Sequence, residues 1–238
     1  MFNLTSPSAL RHALLSGAAA LGLLAGLPLQ AKKDKGPEKL TQPGKYEDWN
    51  DIINQLEIKE SFKITDFAEV RLLPVDTSKT ALPDKEDNTY DPTVSVLKHA
   101  TGSIIEGMKG ELKAPPINTG DMPAPAPAAP PAAVADSAAA PAAPAAAPRI
   151  LVIRVRIVEL NPGSRAARYW GGFGAGKSSV EFEGDAIDGA SGKVLLHFSI
   201  TRSSSGAWKV AGGDYERMMT GDVQDAGSDI GTMLAFFK

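Results

Sequence analysis

At 238 residues and a net charge of −3, the chain has room for one or two domains and no basic excess of the kind that draws nucleic acid. It contains no cysteine, which excludes disulfides, thiolate chemistry and a cysteine-borne lipid anchor. His12, His99 and His197 stand far apart with no H-x-H or H-E-x-x-H spacing, so no metal site is expected.

Residues 1–31 read as a secretory signal. Arg11 and His12 precede an apolar run from Ala13 to Leu29, and Leu29-Gln30-Ala31 sets a small residue before the cut. Gly17, Gly22, Gly26 and Pro28 interrupt the run, which falls short of the ~20 apolar residues a membrane span needs. Cleavage after Ala31 implies a periplasmic or secreted protein with a charged start, Lys32-Lys33-Asp34-Lys35. Residues 32–60 read as a flexible N-terminal segment holding one short amphipathic piece, Trp49 to Leu56, with no settled helical period.

From Phe62 to Val75 the pattern is that of a strand, with Phe67, Val70, Leu72 and Leu73 apolar and Pro74 marking an end or an edge. A polar loop from Lys79 to Tyr90 leads to Asp91-Pro92, a capping residue followed by proline at the first helical position. Val94, Leu97, Thr101, Ile104, Ile105, Met108 and Leu112 then recur at helical spacing. Gly102, Gly107 and Gly110 each cost this helix about 1 kcal/mol relative to alanine, so packing must hold it. Residues 114–148 collapse to alanine and proline. With no helix donors at proline and little to bury, they read as a disordered, extended linker.

Ile150 to Leu160 alternates Leu151, Ile153, Val155 and Ile157 against Arg154 and Arg156, the clearest strand in the chain. A strand through Val180 and Phe182 follows a glycine-rich stretch. Asp188-Gly189-Ala190-Ser191-Gly192 turns the chain, and Val194, Leu196, Phe198 and Ile200 bring it back. Glu181, Glu183 and Asp185 share the solvent face of one strand without the ligand order of a calcium loop. His197 also falls on an outward face. After a second glycine- and serine-rich loop carrying Trp208, Met219, Val223, Ala226, Ile230, Leu234 and Phe237 mark a last helix, again diluted by Gly221, Gly227 and Gly231.

Residues 61–113 alone supply too little to bury a core. Joined to 149–238 they give a single α+β domain: a mostly antiparallel sheet of about four strands with two helices packed on one face, interrupted by the insertion at 114–148. Two separate modules on a string are the alternative.

Gly171 to Ser178 matches the phosphate-binding pattern G-x-x-x-x-G-K-[ST]. That chemistry needs a buried strand before the loop and a helix N-terminus after it, to aim N–H groups at phosphate. Here basic, irregular sequence precedes the motif and an alternating strand follows, so neither nucleotide nor any other cofactor is expected. What remains is a long polar connection in which Arg165, Arg168 and Lys177 interleave with Tyr169, Trp170 and Phe173. These six form a candidate surface for a protein or anionic-polymer partner, since arginine offers paired hydrogen bonds to carboxylate or phosphate and stacks on aromatic rings. A crossover whose aromatics pack on the sheet is an equal reading. No nucleophile–base set is evident, so no catalytic residue is assigned and the chain is not expected to be an enzyme.

The run from Asn161 to Ile230 resembles a family of bacterial exported proteins known as domain of unknown function 4410. The likeness rests on P-G-S-R-A-A-R-Y from Pro162, G-F-G-A-G-K from Gly172, D-x-x-S-G-K from Asp188 and G-G-D from Gly212. It covers 161–231 closely and 62–113 loosely. The resemblance implies an envelope location and an α+β fold, and it brings no established activity and no catalytic residue. Such proteins often look like lipoproteins, and this chain departs from that pattern in having no cysteine. The expected function is a non-enzymatic exported envelope component that binds through the glycine-rich loop. A self-associating structural subunit is the second reading and an envelope hydrolase the last.

Overall fold

The structure is a computed structural model that describes residues 40–124, 148–163, 178–203 and 215–238. The described residues lie within the compact unit Lys35–Lys238. The expected leader, its cut after Ala31 and residues 125–147 of the expected linker lie outside them.

The alternating stretches form the strands that their period predicts: β3 (Glu69–Leu72), β5 (Ile150–Asn161), β6 (Ser179–Asp188) and β7 (Lys193–Ser203). The two glycine-diluted patterns form α1 (Tyr90–Glu111) and α2 (Tyr215–Ala235). Three further strands correct the expected sheet: β1 (Gly44–Trp49), β2 (Ile53–Ile58) and β4 (Ile117–Thr119). The result is a seven-stranded mixed sheet in the order β1-β2-β7-β6-β5-β3-β4, not about four mostly antiparallel strands. β3 runs parallel to both β4 and β5, and the other pairs are antiparallel. A parallel neighbour needs a long crossover, and α1 supplies one between β3 and β4.

Each correction has a local cause. Trp49, Ile53 and Leu56 are four and three apart, which imitates a helical stripe. In the fold they are inward residues of two strands joined by a tight reversal at Asn50 and Asp51, whose φ values are +51° and +59°. An Asn–Asp pair tolerates that left-handed backbone well, as a hairpin turn requires. The Trp49 indole N–H donates to the Leu40 carbonyl at 2.8 Å, fixing the entry to β1. The segment read as flexible therefore holds a core hairpin. β4 was hidden in the alanine/proline tract, where Ile117 is a buried residue and pairs with Val70.

One face of the sheet is apolar. Val70, Leu72, Leu151, Ile153, Val155, Phe182, Leu196, Phe198 and Ile200 join residues of both helices in one buried cluster. Gly184 makes room for the Phe198 ring, because a Cβ there would run into Phe198 Cζ and lie 2.8 Å from its Cε1, besides 2.7 Å from the Arg154 carbonyl oxygen. The helices run in the same direction: Ser95 meets Glu216, Ile104 meets Gly227 and Met108 meets Gly231.

After β4 the chain passes to the polar face, where the Pro123 ring and the Ile150 carbonyl both sit against Gly189. The insertion thus leaves and returns at one corner. Deleting 125–147 behind a short glycine/serine linker is expected to leave the melting temperature nearly unchanged, since shortening the connection between two neighbouring points alters closure entropy by only about 1–2 kcal/mol. Deleting 115–147 instead removes β4 and Pro123 and is expected to lower it clearly. Thermal unfolding followed by circular dichroism separates the two, and equal melting of both deletions would count against a structural role for β4.

Candidate functional site

Three strand ends meet at one end of the sheet: Asn161 pairs with Ser179, and Ser179 with Ser203. The chain therefore leaves β5, enters β6 and leaves β7 side by side. At the exit from β5, the Asn161 side-chain oxygen accepts the Gly163 N–H at 2.8 Å and Gly163 takes φ +74°, which bends the backbone away from the strand. The six residues singled out by sequence, Arg165, Arg168, Tyr169, Trp170, Phe173 and Lys177, lie outside the described residues. What the structure fixes is their frame.

That frame is tied to α2 by two carboxylates. Ser178, fully buried, donates its hydroxyl to Asp222 Oδ2 at 2.8 Å. This is the serine that a phosphate-binding loop would turn toward magnesium. Here it leads directly into β6, the strand that its alternating sequence predicts. Two turns further along α2, Asp229 receives both Nε and Nη2 of Arg202, near the end of β7. Burial pushes the Asp229 carboxyl above the usual carboxylate range; Arg202 acts against that shift, and Asp225 adds to it. Sequence reasoning missed both ties. The available signal was two acidic residues seven apart, flanking Val223, Ala226 and Ile230 on the buried stripe of α2. Beside this end, the Asn54 side-chain oxygen accepts the Thr201 N–H at 2.6 Å and joins β2 to β7.

The polar face carries a row of charges in register across five strands: Lys45, Glu57, His197, Asp185 and Arg154. Asp185 accepts Arg154 Nη2 at 2.6 Å and lies 2.9 Å from His197 Nδ1, while Glu183 pairs with Arg156. Glu181 stands opposite Glu159. The expected outward placement of Glu181, Glu183, Asp185 and His197 matches this arrangement, which is ion pairing along a solvated face. Burial raises the Asp185 carboxyl, but the hydrogen bonds and charges of Arg154 and His197 outweigh it, and the net direction is down. A carboxylate lowered by folding stabilises the fold above its unfolded value, and that contribution is lost as pH falls through the folded value. Asp185→Asn is accordingly expected to cost no more than ~1 kcal/mol near neutral pH and less at about pH 3, because the row faces solvent. Urea unfolding at the two pH values measures it, and an equal cost at both would refute the ion-pair account.

Among the described residues, no group of three or more His, Asp or Glu side chains is placed to hold a metal ion. None of the described helices is long and apolar enough to cross a membrane.

No curated protein matches the chain. Solved structures to which it is similar include the PelC dodecamer from Paraburkholderia phytofirmans, at 11% identity and a TM-score of 0.39 over 73% of this chain and 96% of that one. A substituted form of the same dodecamer is similar at 11% identity and a TM-score of 0.39, over 74% of this chain and 95% of that one. Residues 134–207, which carry the P-G-S-R-A-A-R-Y, G-F-G-A-G-K and D-x-x-S-G-K motifs, match the family model described as Domain of unknown function (DUF4410).

Proposed function

We propose that the protein is an exported, non-enzymatic component of the cell envelope that binds an anionic polymer through the connection between β5 and β6. The observation that carries this reading is the frame. Antiparallel register holds both ends of a basic and aromatic segment at one end of a sheet, and Ser178–Asp222 and Arg202–Asp229 lock that end to α2. A polar loop mounted on a rigid support is the common arrangement for recognition, because the scaffold limits the ordering entropy that binding must overcome. Arg165 and Arg168 would supply paired donors to carboxylate groups, with Trp170 offering a stacking face. Export rests on the leader read in residues 1–31.

The test uses the chain from Lys32 onward and polygalacturonate as the acidic polymer, with neutral dextran as control. Wild type is expected to bind the acidic polymer, with affinity falling as salt rises. Arg165→Ala with Arg168→Ala is expected to weaken binding by roughly tenfold or more while unfolding as wild type does. Absence of binding by wild type, or equal binding by the double variant, overturns the reading. A double variant that unfolds would show the arginines to be structural ties.

A further inference from the structure

No further inference is drawn: the strongest candidate, the polar cleft of about 220 Å³ where the β1–β2 turn meets the end of β7, is lined by Asp48, Asp51 and Arg202 and is an acidic cluster with no second feature pointing to a ligand, the Arg202 guanidinium being already held by Asp229.

Discussion

Gly227→Ala is expected to destabilise the protein by about 1–3 kcal/mol, although alanine favours a helix over glycine by about 1 kcal/mol. The helix interior would gain from the change, but the neighbouring helix does not allow it. A methyl group on Gly227 would lie 2.8 Å from Ile104 Cα and 2.9 Å from its carbonyl carbon, and one on Gly107 would lie 2.7 Å from the Ser228 nitrogen. These are backbone atoms of a packed partner, so no side-chain rotation relieves the clash. The two helices must separate, which loosens the layer that covers the apolar face. Gly221 supplies the control. It lies on the same helix with nothing within 4 Å of an added Cβ, and Gly221→Ala is expected to stabilise by about 0.4–1 kcal/mol. Urea midpoints at constant slope measure both. If Gly227→Ala is as stable as wild type, the close approach of α1 and α2 is wrong. If Gly221→Ala destabilises, the account of which glycines face open space is wrong.

The same glycines show where sequence reasoning stops. Diluted propensity in both helical patterns was legible, as was the need for packing to compensate. Which glycines serve that packing was not, because Gly102, Gly110 and Gly221 face open space while Gly107, Gly227 and Gly231 do not. The four-residue step from Gly227 to Gly231 puts both on one helix face, a hint of close approach that needs the partner helix to become an argument. β5, β6 and β7 were legible because a half-buried strand must alternate. β1 and β2 were not, since Trp49, Ile53 and Leu56 satisfy a helical and a hairpin spacing equally. β4 was lost because a three-residue strand is too short to show a period and sat in a stretch judged by its average composition. The start of α1 shifted slightly: the chain enters the helix at Tyr90, with Asp87 accepting the Thr89 N–H at 2.8 Å, so Asp91 lies inside the first turn. The candidate site was read as a cluster of residue types between two strands, and those residues lie outside the described ones. The structure adds its frame, whose ties through Asp222 and Asp229 are contacts made 44 and 27 residues apart in sequence.

Arg202→Ala is expected to be the more damaging of the two ways to break the Arg202–Asp229 pair. Asp229 is 10% exposed at its side chain and Arg202 is 36% exposed. Removing the arginine leaves a carboxylate inside the protein without the fork that held it, and removing one partner of a buried pair costs about 3–5 kcal/mol. The partial exposure of this pair argues for a value near or below the lower end. Asp229→Ala leaves an arginine whose long stem can carry its charge out to water, so about 1–2 kcal/mol is expected. The two variants also differ in pH dependence. Burial already raises the Asp229 carboxyl, and without Arg202 it rises further. A carboxyl raised by folding binds its proton more tightly in the folded state. Its cost is absent below the unfolded value, about 3.9, and grows as pH climbs through the window up to the folded value. Arg202→Ala should therefore lose most stability relative to wild type at neutral pH and recover much of the difference by about pH 4, where Asp229 is neutral in the variant. Asp229→Ala has no such carboxyl, and this source of pH dependence is absent from it. Urea unfolding of the three proteins between pH 4 and 7 decides the matter. If both variants lose the same stability at every pH, Asp229 is not held as a buried charge, and the tie between α2 and β7 does not depend on the pair.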